Sequence, residues 1–145
     1  MTERADAFEE IAAQMRVLGR RFKTMIAERA AEVHPQLQPS SYHILVFLIE
    51  NGPTRGSALA CQFDIDKGAI SRQIQHLLDL GLAERTADPD DGRAQLVSAS
   101  ARAREVLDRA HVQQQLNWQR RLEGWSAEEL RSFADQLGRF NGDLT

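Results

Sequence analysis

The segment from Asp66 to Val97 constrains the fold of this chain more than any other part of the sequence. It begins with a stretch whose apolar side chains recur at the spacing of one helix face, and this stretch ends at Gly81. Two short strand-like runs follow, 82–86 and 94–98, and the turn-forming sequence ADPDDGR joins them. The pattern therefore predicts a helix followed at once by a β-hairpin.

The two faces of the predicted helix differ in chemistry. The apolar face, which we expect to pack on the preceding helices, is formed by Ile70, Ile74, Leu77 and Leu78. The opposite face is polar and carries Lys67, Gly68, Ser71, Arg72, Gln75 and Asp79. An arginine can bind guanine, and a glutamine adenine, through two hydrogen bonds. A solvated polar face on any surface helix explains the same pattern, so the helix alone leaves both interpretations open.

The hairpin loop favours DNA binding. Asp91 and Arg93 are two residues apart, so their side chains can pair and hold the arginine extended. An extended arginine can enter the narrow minor groove beside a helix in the major groove. Helix and hairpin together are typical of a winged helix-turn-helix. The alternative is a plain β-turn with a surface ion pair.

The rest of the chain between its two ends also reads as helices. Pro39 suits the first position of a second helix, which stops near Gly52, and a short helix is predicted over 56–63. Asp66 suits the N-cap of the polar-faced helix, and Ser100 suits the N-cap of a long helix after the hairpin.

Regular apolar stripes occur at both ends of the chain. The first helix, ended by Pro35, carries Phe8, Ile11, Met15, Leu18 and Phe22 in steps of three and four. A capping box at 126–129 opens a last helix with Leu130, Phe133, Leu137, Phe140 and Leu144 at the same steps. One small domain has little need for both stripes, so we expect a shared dimer interface. Packing of the stripes on each other within one subunit is the alternative.

Charge and composition set limits on these interpretations. The chain has 145 residues and a net charge of −3, and the segment 53–99 holds more acidic than basic residues. DNA binding must then depend on where its few cations lie. The sequence shows no membrane-length apolar run and no signal-peptide pattern, and its single cysteine fits a reducing cytosol. We therefore expect a cytoplasmic protein.

The sequence LACQFDIDKGAISRQIQHLLDLGLAERTADPDDGRAQLVSAS resembles the core of the MarR family of bacterial transcriptional regulators. The loop matches the family pattern D-P-x-D-x-R at Asp88, Pro89, Asp91 and Arg93. The resemblance implies a mainly α fold with a small β-wing: a dimerisation helix over 1–36, a winged helix-turn-helix over 37–99, and helices over 100–145 that complete the dimerisation region.

The resemblance also implies a function and a set of contacts. It implies a homodimeric, ligand-responsive repressor on a pseudo-palindromic operator, with the polar-faced helix in the major groove and the wing in the minor groove. The predicted DNA contacts are Ser40, Ser41, Lys67, Gly68, Ala69, Ser71, Arg72, Gln75, Asp91 and Arg93. Family members often have a hydroxyl residue in place of Gly68 and an arginine in place of Gly92.

Other residues suggest regulation. A candidate pocket for a small aromatic or phenolic effector is formed by Met15, Met25, His34, His43 and Trp118, for which core or interface packing is the alternative. Cys61 lies off the apolar stripe of its helix, so we expect its thiol to be partly exposed. A regulator that responds to oxidation of Cys61 is therefore an alternative. No metal-ligand spacing, cofactor motif or catalytic constellation is present. Because acidic residues outnumber basic ones in the segment 53–99, a protein–protein interaction module without DNA binding is a further alternative.

Overall fold

The computed structural model describes residues 2–142, which form six helices and three short strands. The elements are α1 (Glu3–Val33), α2 (Pro39–Asn51), β1 (Thr54–Arg55), α3 (Gly56–Phe63), α4 (Lys67–Asp79), β2 (Ala83–Ala87), β3 (Gln95–Ala99), α5 (Ala101–Arg121) and α6 (Ala127–Gly142). The predicted fold class, mainly α with a small sheet, is confirmed. The chain divides into two compact units, Met1–Asp108 and Arg109–Thr145.

The core of the first unit is built from leucines of successive elements. Leu45 and Leu48 of α2, Leu59 of α3 and Leu77 of α4 are all 0% exposed, as is Leu82 beside the sheet. Burying one such side chain contributes about 1.5–3 kcal/mol. This core positions α4, because its apolar face must lie inward and its polar face must then lie outward.

The ends of the helices follow the predicted signals. Pro39 is the first residue of α2, and Gly52 ends that helix with a positive φ of 78°. The side chain of Asp66 accepts a hydrogen bond of 2.8 Å from the backbone N–H of Ala69, so it caps α4 as predicted. Beyond α4, Gly81 has a φ of 70°, a conformation that favours glycine.

The three strands form an antiparallel sheet in the order β1-β3-β2. Thr54 pairs with Val97, and Arg85 pairs with Val97 from the other side. Both hairpin strands begin one residue later than predicted. Leu82 is excluded from β2 because its N–H donates to the carbonyl of Leu77, which closes the turn after α4.

Both predicted serine caps are present. The Ser100 hydroxyl oxygen accepts from the N–H of Ala103 at 3.2 Å and starts α5. In the second unit the N–H of Ser126 donates to Glu129 Oε2 at 2.7 Å, and the N–H of Glu129 donates to Ser126 Oγ at 3.1 Å. The backbone N–H of Ser126 first, and its side chain second, lower the pKa of the Glu129 carboxyl.

The apolar stripes of α1 and α6 are exposed in the single chain. Phe8 is 71% and Ile11 54% exposed, and Phe133 of α6 is 51% exposed. Leu144, the last position of the second stripe, lies outside the described residues. Within residues 2–142 no helix is long and apolar enough to cross a membrane.

Candidate nucleic-acid interface

The polar face of α4 is open to solvent. Lys67, Gly68, Ser71, Arg72 and Gln75 are all exposed, and Ala69 between them is half-buried. The apolar face of the same helix is buried through Ile70, Ile74 and Leu77. Apart from Lys67, the first turn of α4 therefore presents small residues, and the next turn presents polar side chains of the kinds that are able to bond base edges.

Gly68 leaves space for the side chain of Arg72. A Cβ atom at position 68 would lie 3.4 Å from Arg72 Nη1 and 3.1 Å from Asp66 Oδ1. The guanidinium group of Arg72 thus runs back along the helix over its first turn. Any residue with a Cβ at this position would crowd both this group and the N-cap.

Two side chains of the polar face are held by bonds within α4. The hydroxyl of Ser71 donates to the carbonyl of Lys67 at 2.8 Å, which leaves only its lone pairs for another partner. Gln75 Nε2 donates to Asp79 Oδ1 at 2.8 Å. The face is therefore partly ordered before anything binds it.

The tip of the wing is ordered by a backbone bond. The N–H of Arg93 donates to Asp91 Oδ1 at 3.1 Å. This corrects the prediction that the two side chains pair, because the carboxylate of Asp91 is used by the turn. Both residues are exposed, so the side chain of Arg93 extends from the loop without an acidic partner in the described part of the chain.

An ion pair that the sequence analysis missed holds the base of the wing. Arg55 Nε donates to Asp88 Oδ2 at 2.7 Å, and Nη2 lies 2.6 Å from the same oxygen. Asp88 is buried, and its Oδ1 accepts from the N–H of Asp90 at 2.9 Å. That backbone N–H first, and Arg55 second, lower the pKa of Asp88. The sequence signal for this pair was the cluster of three aspartates in the wing loop, which needs a cationic partner such as Arg55.

We expect Asp88→Asn to loosen the wing. A lowered pKa means that the Asp88 carboxylate stabilises the fold above its ordinary pKa of about 4, and that this contribution is lost as the pH falls through the lower folded value. Urea unfolding between pH 3 and 7 should then show wild type more stable than the variant near neutrality, with the gap closing in acid. Asp90→Asn, which removes an exposed loop carboxylate, is the control; an equal loss there would refute the assignment.

A cleft lies between the first turn of α4 and the wing. Lys67 lines it from the helix and Arg93 lines it from the wing, and Arg55 of β1 also lines it. Arg55 is neutralised by Asp88, so Lys67 and Arg93 supply the unpaired positive charge. Lys67 and Arg93, which are distant in sequence, therefore line the same cleft.

The two serines at the start of α2 differ in position. Ser40 is exposed, whereas Ser41 is fully buried and its hydroxyl donates to Gln73 Oε1 at 3.0 Å. The expectation that both contact phosphate is therefore corrected: Ser41 joins α2 to α4 instead. Its spacing of three and four from the buried Ile44 and Leu45 was the signal that placed it inward.

The candidate effector residues occupy mixed environments. Met15, His43 and Trp118 are exposed, and Met25 and His34 are half-buried. His34 lies at the C-cap of α1, where its Nδ1 accepts from the N–H of Gln36 at 3.1 Å. Trp118 belongs to the second unit and the other four residues to the first. An effector pocket here stays a prediction.

Cys61 is exposed on α3, in agreement with its position off the apolar stripe. A redox role for it stays a prediction. Across residues 2–142, no group of three or more His, Cys, Asp or Glu side chains is arranged to hold a metal ion.

Comparison with known proteins identifies the family. The MarR family model matches residues 36–94. The uncharacterised HTH-type transcriptional regulator YxaD of Bacillus subtilis is 33% identical over 105 residues, which cover 72% of this chain and 73% of that protein.

Solved structures agree on the fold. RV1404 of Mycobacterium tuberculosis superposes with a TM-score of 0.81 at 21% identity, over 92% of each chain. The MarR family transcription regulator SP03579 gives 0.79 at 21% identity, over 99% of this chain and 96% of the other. With an exposed polar α4 beside a wing and these relatives in sequence, the chain belongs to the MarR family of DNA-binding transcriptional regulators.

Proposed function

We propose that this chain is a ligand-responsive repressor that binds a pseudo-palindromic operator as a homodimer. The observation that carries the DNA-binding part of this proposal is the cleft between α4 and the wing, which Lys67 and Arg93 line together. A duplex placed there receives cations from two elements at once. Arg72 and Gln75, exposed on the same helix, are then the residues that bond base edges in the major groove.

The wing supplies the second part of the interface. Arg93 extends from a loop that Asp91 and the Arg55–Asp88 pair hold in place. An arginine inserted into a narrow minor groove favours A·T-rich sequence, because the negative potential there is enhanced. Phosphate contacts from Ser40 and from the first turn of α4 add affinity that does not depend on sequence.

The exposed stripes support the homodimer. Large apolar side chains on these stripes, such as Phe8 and Ile11 on α1 and Phe133 on α6, are more than half exposed in the single chain. Residues 1–36 and 100–145 together form the dimerisation region in this proposal. A two-fold axis then repeats α4, so the operator half-sites lie about one helical turn of DNA apart.

Regulation by a small molecule is the finer part of the proposal. A small aromatic or phenolic effector would bind among Met15, Met25, His34 and His43 and change the spacing of the two α4 helices. Oxidation of the exposed Cys61 is the competing signal. Operator binding measured with salicylate and with hydrogen peroxide separates the two, since peroxide should leave a Cys61→Ser variant unaffected if the thiol is the sensor.

Selection of bound duplexes from a random library tests the DNA proposal. We expect an enriched inverted repeat whose binding weakens steeply with salt, as phosphate contacts require. If the purified protein enriches no motif even at low salt, the proposal fails and the result favours a winged-helix module for protein partners. Catalytic activity forms no part of either outcome.

Replacement of Arg93 by alanine should weaken operator binding and remove the A·T preference in the flanks of each half-site. The variant loses one cation from each subunit of the dimer, so the salt slope of operator binding should fall by about two. Fluorescence anisotropy on operators with A·T and G·C flanks measures both effects. Arg93→Lys keeps the charge and should retain the salt slope, whereas equal flank preference in wild type and Arg93→Ala would exclude the wing from the minor groove.

A further inference from the structure

Asp79 fixes the orientation of the Gln75 amide. Gln75 Nε2 donates to Asp79 Oδ1 at 2.8 Å, and both side chains are exposed on the polar face of α4. A carboxylate only accepts hydrogen bonds, so the amide nitrogen, and not the oxygen, must face Asp79. The amide oxygen Oε1 of Gln75 is therefore turned away from Asp79 as an acceptor.

We propose that Asp79 is a specificity-determining residue of this regulator, acting through Gln75. An unrestrained glutamine can rotate its amide and serve as donor or acceptor toward a base. With Oε1 held outward, Gln75 favours a base that offers a donor in the major groove. Adenine offers its N6 amino group and cytosine its N4 amino group, whereas guanine and thymine present acceptors only.

The position of Asp79 supports this role, because its charge is otherwise unfavourable. It is the last residue of α4, where the helix dipole disfavours an acid. It also adds a negative charge to a face that must approach phosphate, in a chain that already carries a net charge of −3. The hydrogen bond to Gln75 is the interaction that Asp79 makes in the described structure.

The inference rests on the proposed DNA binding and makes its own prediction. Asp79→Lys replaces an acceptor by a donor, so the Gln75 amide should rotate and present its N–H groups to the base. We expect the preferred base at the position facing Gln75 to change from adenine or cytosine to guanine or thymine. The discrimination between the two classes should be about fivefold or more in each protein.

Selection from a random duplex library, followed by competition binding, measures this preference. Asp79→Glu keeps an acceptor and should keep the wild-type preference. Gln75→Ala should lose the preference, and adding Asp79→Lys to it should change nothing further at that position. Glu84→Gln removes an exposed carboxylate on β2 and should raise affinity without altering any base preference.

The outcomes separate this inference from the proposed function. An enriched motif that is identical in wild type and Asp79→Lys overturns the role of Asp79 and leaves DNA binding intact. A uniform gain in affinity across all sequences assigns Asp79 to charge repulsion alone and also overturns it. Absence of any motif in the wild-type protein refutes the proposed function itself.

Discussion

Replacing Arg72 with alanine should lower the affinity for the selected operator by about 1–3 kcal/mol per half-site and relax the base preference at one position of each half-site. Arg72 is exposed on α4, and its guanidinium runs over Gly68 toward the end of the helix that meets the cleft. A guanidinium that makes two bonds to guanine O6 and N7 has no substitute among the neighbouring side chains.

Binding to operators with single base changes distinguishes base contact from charge. If Arg72 contacts only phosphate, the alanine variant will weaken binding equally on every operator. Arg72→Lys keeps the charge but not the two-bond geometry, so it should bind with relaxed preference. Arg20→Ala removes an arginine from the exposed surface of α1 and should leave both affinity and preference unchanged.

A larger loss of operator affinity than that of Arg72→Ala is expected when charged residues are introduced into the apolar stripe of α1. Leu18 and Phe22 are each 40% exposed in the single chain. A double change, Leu18→Glu with Phe22→Glu, would bury two carboxylates in the proposed dimer interface, which is strongly unfavourable. We expect a folded monomer whose operator affinity is lower by about a hundredfold or more, because two linked half-site contacts become one.

Sedimentation and circular dichroism, together with operator binding, measure this result. The paired control, Thr24→Glu with Ala27→Glu, adds the same charge to exposed positions of α1 off the stripe and should remain dimeric. A stripe variant that stays a dimer would show that α1 does not form the interface.

Local patterns carried most of the fold prediction. The caps at Asp66 and Ser100 and the stop at Gly52 lie where the sequence placed them, because each depends on residues within one turn. The one-residue shift of the hairpin strands arose because Leu82 bonds back to α4. That bond depends on how the chain leaves the helix, which periodicity does not encode.

Long-range contacts were the part that the sequence did not reveal. Arg55 and Asp88 meet because the sheet brings the end of β1 toward the wing loop, and their pairing depends on strand register. The bond from Ser41 to Gln73 likewise depends on how α2 crosses α4. Both contacts position the candidate site from outside the motif, so the motif predicts an exposed wing tip at Arg93 but not the contacts that support it.

The strand order of the sheet determines how the candidate nucleic-acid interface can open. Because β3 pairs with β1 at Thr54↔Val97, the segment that contains α3, α4 and the wing is closed at its two ends by the same few backbone bonds. Release of β1 from β3 would therefore loosen the two ends of this segment together, whereas the β2–β3 hairpin and the buried face of α4 would stay in place. Amide protons of β1, and those of β3 that bond to it, should exchange with solvent deuterium at a common rate, and operator DNA should slow both by the same factor.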